Sequence, residues 1–583
     1  MSDEPPAGGL PAAPVAPGRL ARWAQRRRDR RSNGAYSLLL RDSVLYGGGR
    51  VLQKFLSALL LPLYTSFLGP KDYGLLGMVL VTTTLIDVVV VLGFDIAFTR
   101  FYFDDKSQRH RDEVITTETW VSTIYPAVLL GILVVFMPQI STFLLNGKTG
   151  CAIYFDVSII SEFFINMAAT AFTLFRLQHR PYIFLSFNIA RILIQIPLTV
   201  VLVAAFHMGV MGVLIGNAAT SFLLNAAATP FYWKHITWRF HWKLTKAMTS
   251  FAVPAVFSGL VFFILKLSDR FLLQRYWGAT EVGVYTAAFT LSQPVYMVMQ
   301  AFRMAWPQWH FAKLHDPEKH KLMVARSATY FLLFCMMMFV AQGIWMPIMV
   351  RVLLRNKGFW TAGPTALILT GATVLYSAYF VFWIGCNVAK KNRLVPFVAM
   401  VGSGLNIGLN LLLIPRFGMI AAAWTTVAGY GALAALIYPL SRRYYPIPYE
   451  WSRLIKMSVA AGAALAVSWG IGRLTGESVS MPFGQLVLRE VAKLPAVFVF
   501  FGILWATRFF TPQESKAIKA RGRRLVGRGR GRAPVPSPAA LPPGEEPMLN
   551  AENLAHEVDE AEDEELELET EAQLGINETA SPT

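Results

Sequence analysis

Long apolar runs alternate with short polar breaks along most of this chain. Fourteen runs are long enough to cross a bilayer, which takes about 20 helical residues. They cover residues 44–68, 73–98, 116–138, 152–176, 182–206, 210–233, 248–274, 282–305, 326–353, 362–388, 394–414, 418–440, 454–474 and 491–510. The pattern predicts an all-α, polytopic membrane protein with about 14 transmembrane helices. Composition agrees: 54% of the 583 residues are hydrophobic and only 15% are charged, where a soluble domain has nearer a quarter.

Charge sets the orientation. The breaks after even-numbered runs hold 22 Lys and Arg residues and those after odd-numbered runs hold nine. The excess predicts that the even loops and both termini face the cytoplasm. Residues 1–43 read as a disordered basic tail with no apolar signal-peptide core. Residues 511–583 read as a second disordered tail, first basic and Gly-rich, then acidic. The formal charge of +18 does not imply a nucleic-acid partner, because the basic residues cluster in short loops as topology signals and contacts to anionic lipid. The three cysteines, Cys151, Cys335 and Cys386, are too widely spaced for a disulfide or metal pattern. No metal or other cofactor is expected.

An internal repeat organises the apolar runs. Gly69 and Gly74 bracket the hairpin between the first two; Gly278 and Gly283 bracket the one between the seventh and eighth. Both pairs are 209 residues apart, as are Asp72 and Glu281, and Gly209 and Gly418. A unit of six spans repeats with unchanged orientation, which predicts two bundles related by a pseudo-two-fold along the membrane normal. The expected plan is a six-helix bundle in 44–233, a second in 248–440 and two additional helices in 454–510, with substrate handled between the bundles.

Ionisable residues inside apolar runs are costly and therefore functional or paired. The cations are Arg50, Lys54, Arg191, Lys266 and Arg270; the acids are Asp87, Asp95, Glu162 and Asp269. At about 1.5 Å per residue, Arg50 lies about 9 Å from the cytoplasmic end of its run, Lys54 about 15 Å and Lys266 about 27 Å. If these faces point inward they form a ladder of cations suited to an anionic passenger, a diphosphate above all. The competing readings are snorkelling for Arg50, a local Asp269–Arg270 ion pair, and a cross-helix pair of Arg191 with Glu162. Asp87, Glu162 and Asp269 are read as counter-ions or ion-coupling groups. Gly47, Gly48 and Gly49 ahead of Arg50 supply either a hinge or close helix packing. The buried amides Gln53, Gln195, Asn217, Asn225, Gln293, Gln300, Asn406 and Asn410 are read as helix–helix glue rather than sugar ligands.

The sequences LPLYTSFLGPKDYGLL (61–76) and SDRFLLQRYWGATEVGVYTAAF (268–289), the Arg100 region after Gly93 and the 6 + 6 + 2 layout resemble the polysaccharide transporter branch of the multidrug/oligosaccharidyl-lipid/polysaccharide exporter superfamily, the Wzx-like flippases. The resemblance covers roughly residues 40–510. It implies alternating-access movement of an undecaprenyl-diphosphate-linked oligosaccharide from the cytoplasmic to the periplasmic leaflet of the inner membrane, for a surface polysaccharide such as O-antigen or an exopolysaccharide. It also implies contact with membrane lipids and with a polysaccharide polymerase and export machinery. By position, Arg50 and Lys54 match the cationic first span of related lipid II flippases. A multidrug/cation antiporter of the same superfamily would favour an acidic, aromatic cavity over five intramembrane cations. A membrane glycosyltransferase or polymerase needs catalytic groups on sizeable external loops, which are lacking here; the chain is therefore read as not an enzyme. A scaffold would not need buried cations in both halves.

Overall fold

The computed structural model describes residues 60–105, 107–237, 239–311 and 317–510. Both predicted tails, the glycine run 47–49 and the cations Arg50 and Lys54 lie outside the described residues. Those described form helices joined by short turns, with no strand among them. A lipid environment demands this, since only a helix satisfies its own backbone within a single segment.

The chain enters through α1 (Leu61–Phe67), turns at Gly69 and descends in α2 (Pro70–Val90) and α3 (Phe94–Phe101). It continues through α4 (Gln108–Leu144), α5 (Ala152–Leu177), α6 (Pro181–Val200) and α7 (Gly209–Trp233). The second half opens with α8 (Trp242–Leu267) and α9 (Asp269–Tyr276), turns at Gly278 and returns through α10 (Ala279–Leu291) and α11 (Gln293–Phe311). Then follow α12 (Pro317–Leu353), α13 (Ala362–Phe382), α14 (Ile384–Val388) and α15 (Val395–Tyr444). The chain closes with α16 (Trp451–Leu474), α17 (Phe483–Val491) and α18 (Leu494–Ala506).

These helices match the predicted spans, with instructive differences at the ends. The third and ninth spans start earlier than the apolar pattern suggests, because α4 and α12 run for 37 residues each. Polar first turns extend them: Ser107 caps α4 by accepting a hydrogen bond from the His110 backbone N–H. The eleventh and twelfth spans form one helical run, α15, bent at Gly418, whose φ of 59° is left-handed and needs glycine. Among the described residues nine runs are long and apolar enough to cross a membrane, α15 holding two spans. The seventh and eighth are split into α8/α9 and α10/α11.

Within the first half α5 packs on α4 and α7; within the second α13 packs on α12 and α15, and α15 on α8 and α9. The last pair is joined to the second half by α16 lying on α12. The linker between halves docks on the start of α4, where Asp112 takes His235 Nδ1 at 2.9 Å and Thr116 Oγ1 accepts from the Thr237 N–H at 2.9 Å.

The 209-residue repeat reappears as reciprocal contacts across the molecule. A methyl added at Gly74 would run into the Ala279 carbonyl oxygen, and one at Gly283 into the Pro70 carbonyl oxygen. Residues 70 and 279 are themselves repeat mates, so α2 and α10 cross backbone to backbone about the pseudo-two-fold. The loops obey the same rule. Asn146 donates to the Gln274 carbonyl at 2.7 Å. In the mate position, Thr65 donates to the Leu353 carbonyl at 3.0 Å and accepts from the Arg355 N–H at 3.1 Å. Within each half the repeat also holds: Gly209 faces Leu68, and its mate Gly418 faces Trp277, the mate of Leu68. Each half therefore supports the other's hairpin.

Outside this interior, Val135, Phe143, Leu193, Leu412, Phe498 and Trp505 are exposed, an apolar girdle that water would not tolerate.

Replacing Gly74 or Gly283 by Ala should force α2 and α10 apart at the hairpin end. With the native cysteines removed and Thr286→Cys installed as reporter, labelling by a water-soluble maleimide is expected to rise several-fold in either variant. Unchanged labelling would mean that the seam absorbs a methyl without opening.

Candidate functional site

Two clusters of polar groups lie within the membrane-spanning region, one in each half, and their chemistries are opposite.

In the second half, the Lys266 side chain at the end of α8 reaches tyrosines from two other helices. Its ammonium stands 4.8 Å from the ring centre of Tyr376 on α13 and 5.1 Å from that of Tyr296 on α11. It also donates to the Tyr296 hydroxyl at 3.3 Å. The Tyr376 ring is packed in turn against Tyr430 on α15, at 4.8 Å, and Tyr379, at 5.7 Å. Ring faces stabilise a cation through their quadrupoles, most strongly where water is displaced. Among the described residues no carboxylate pairs with Lys266, so the tyrosines hold its charge without neutralising it.

One turn on, the geometry differs. Arg270 is 2% exposed and Asp269 4%. The guanidinium lies 3.3 Å from the Asp269 carboxylate and stacks on Phe289, 4.5 Å from the ring centre. The Tyr285 hydroxyl donates to the other Asp269 oxygen. Of the two expectations for this pair, the structure has the local ion pair: Arg270 is bound to its own neighbour and enclosed. Lys266 and Arg270, treated as a single rung from the sequence, thus have different surroundings. Nearby, Asn410 donates to Asn406 Oδ1 at 3.0 Å and accepts from Thr425, while Gln195 donates to Asn217 Oδ1 at 2.6 Å. Gln195 and Asn217 thus tie α6 to α7, and Asn410 ties the two arms of the bent α15, while its bond to Asn406 stays within one helix.

In the first half the acids gather. Asp87 on α2 and Glu162 on α5 face each other within hydrogen-bonding reach, and Asn166 donates to Glu162 Oε1 at 3.4 Å. Arg191 on α6 feels the Glu162 charge but makes no ion pair with it among the described residues. The pairing considered from sequence is therefore electrostatic rather than a direct contact.

Several participants were not singled out in the sequence. The four tyrosines around Lys266 come from α11, α13 and α15, and no linear motif joins them. Glu118 on α4 is 5% exposed and also escaped notice, since it sits among the charged residues that open that helix.

Residues 39–306 match a family model described as "Polysaccharide biosynthesis protein". That span contains both hairpin sequences on which the resemblance rests. A membrane protein of Methanocaldococcus jannaschii, itself uncharacterized, is 23% identical over 407 residues, covering 63% of this chain and 77% of the relative. Among solved structures, "Lipid II flippase MurJ, inward closed conformation" superposes with a TM-score of 0.63 at 14% identity, over 80% of this chain and 100% of that one. An inward-facing multidrug resistance MATE family transporter of the MOP superfamily superposes with a TM-score of 0.58 at 12% identity, over 67% and 94%. The chain is similar to both in fold.

Asp269→Asn leaves Arg270 as an uncompensated buried charge and is expected to cost about 3–5 kcal/mol. Tyr285→Phe removes one hydrogen bond and should cost about 1–3 kcal/mol. Thermal unfolding of the purified chain in detergent checks the order; equal losses would mean that the ion pair contributes nothing beyond the hydroxyl.

Proposed function

We propose that this chain is a flippase that moves a polyprenyl-diphosphate-linked oligosaccharide across the cytoplasmic membrane by alternating access, for export of a cell-surface polysaccharide. The observation that carries the reading is Lys266: a cation inside the membrane-spanning region, held by tyrosine faces and matched by no acid among the described residues. A charge kept there without a counter-ion calls for an anionic passenger, and an ammonium is a point-charge ligand for phosphate. The surrounding tyrosines add ring faces and hydroxyls suited to a sugar. Support also comes from the match to polysaccharide biosynthesis proteins and from a fold like that of a lipid II flippase.

In this reading Lys54 and Arg50 meet the diphosphate from the cytoplasmic side and Lys266 receives it further out. Arg191 lies beside the route, and Arg270 braces the helix that carries Lys266. Gly47, Gly48 and Gly49 serve as the hinge of the first span, and Asp87, Glu162 and Asp269 balance charge or couple ions. The domain plan is 44–233 and 248–440 as the moving bundles and 454–510 as the added pair, with both tails in the cytoplasm. A polymerase and export machinery would take the product on the far side.

A second reading, a cation antiporter, draws on the acids of the first half, Asp87 and Glu162. Proteoliposomes carrying a fluorescent polyprenyl-diphosphate oligosaccharide in one leaflet separate the two. Transbilayer movement should be accelerated by the protein and fall about tenfold or more in Lys266→Ala, the loss expected for one charge-assisted hydrogen bond. Glu318→Gln, at an exposed surface site, should leave the rate unchanged. If Lys266→Ala flips at the native rate while cationic dyes exchange for protons, the antiporter reading replaces this one.

A further inference from the structure

The last pair of helices closes over a buried cluster of charge. α16 ends in a glycine cap: Gly476 adopts a left-handed φ of 61°, and the Glu477 N–H donates back to the Gly472 carbonyl at 2.9 Å. Such a cap satisfies the last carbonyls of a helix. It also folds the Glu477 side chain over the helix end, into space that Gly472 leaves free. A methyl at Gly472 would lie 2.6 Å from that carboxylate and 3.4 Å from the Lys493 side chain. Lys493, which leads into α18, reaches back to two carboxylates: Glu477 and, at 3.1 Å, Glu490 of α17.

Little water reaches these groups. Glu490 is fully enclosed, and the side chains of Lys493 and Glu477 are 5% and 9% exposed. One oxygen of each acid, Glu490 Oε2 and Glu477 Oε1, is buried without a hydrogen-bond partner, although the two carboxyls stand within hydrogen-bonding reach of each other. Two ionised carboxylates are both acceptors, and only a proton on one of them turns the approach into a hydrogen bond. The charge balance points the same way. One ammonium against two carboxylates leaves a net negative charge in a dry site, which is strongly disfavoured; one proton makes the cluster neutral. The other charged groups packed around it are arginines. Arg489 of α17 donates to the Gly476 carbonyl at 2.5 Å, and Arg473 of α16 stacks on Trp469 at 4.4 Å. Arg351 of α12 stacks on Trp360 at 4.3 Å and donates to the Val479 carbonyl at 3.3 Å. Arg351 thereby ties the loop that carries Glu477 to the end of α12.

We propose that Glu477 and Glu490 share one proton beside Lys493, and that this proton latches α17 and the loop 475–482 onto the end of α12. With it the three groups form a neutral, hydrogen-bonded cluster. Without it a buried negative charge remains, relieved only when water enters between α16 and α17. Burial, and then the contact with Glu477, push the Glu490 carboxyl up to about 8 against the opposing charge of Lys493. An unfolded glutamate ionises near about 4.3. The stability that the shared proton contributes is therefore full below about 4.3 and is lost as the pH rises through about 8. The latch is closed in acid and released in mild alkali. In the orientation proposed above this end of the pair faces outward, so the pH outside the membrane sets it. The cluster stands apart from the Lys266 cage and holds whether or not the chain moves a lipid-linked sugar.

Backbone hydrogen exchange of the full-length chain in detergent tests this without a transport assay. After correction for the intrinsic pH dependence of exchange, protection across 475–491 should fall about tenfold or more between about pH 6.5 and about pH 9.5, on either side of the titration. Protection of α7, in the other half, should not change. Glu490→Gln has no charge to neutralise, so its protection is expected to persist at the higher pH; if that variant fails to fold, Glu477→Gln makes the same comparison. Two results overturn the proposal: protection of 475–491 that does not change with pH in the native chain, or a fall that persists undiminished in the folded Gln variant.

Discussion

Backbone meets backbone where α2 crosses α10, and the rest of the architecture depends on that crossing. Gly74 and Gly283 each leave room for a carbonyl of the opposite half, so at that point the two halves meet backbone to backbone. In lipid there is little hydrophobic drive to press helices together, and close approach of small residues supplies the contact energy instead. Such a seam is tight but shallow. One turn further on, the Thr286 side chain of α10 fills the space over Gly77 of α2. The capped hairpins at Thr65 and Asn146 hold the register while the seam itself stays smooth.

On that symmetrical frame the chemistry is unsymmetrical. The second half encloses Lys266 in tyrosine rings and buries Arg270 against Asp269. The first half gathers Asp87, Glu162, Asp95 and Glu118, with Arg191 near them. Duplication supplied the scaffold. Divergence at a few buried positions gave each half its own electrostatics.

The frame was legible in the sequence because its requirements fall on single residues. The backbone crossing leaves no room for a Cβ at Gly74 and Gly283, and Gly209, Gly278 and Gly418 hold positive φ values that favour glycine, so all five announce themselves at a fixed offset. Intramembrane charges are visible for the same reason: in an apolar run they stand out. What could not be read is who meets whom. Lys266 and Arg270 look equivalent at i and i+4, yet one is cradled by Tyr296, Tyr376 and Tyr430 while the other is locked to its neighbour. That difference is made by helices far along the chain, and aromatic residues in apolar runs carry no mark of which face they occupy. Glu118 was hidden in another way. It stands two residues into the apolar run that begins at 116, next to the charged turn before it, and the structure sets it well inside a 37-residue helix.

The crossed loop contacts bear on how the molecule is made. Asn146 caps a carbonyl at Gln274, and Thr65 waits for Leu353 and Arg355, so each hairpin takes its hydrogen bonds from a segment of the other half. A ribosome delivers these segments in order. When the first six spans have entered the membrane, Thr65 still lacks its partners and Gly74 has no backbone to rest on; the eighth span supplies the backbone for Gly74 and the end of the ninth supplies the partners of Thr65. The first half is thus an open intermediate during biogenesis, with its hairpin end unfinished, and assembly is completed from the far half of the chain back toward the beginning.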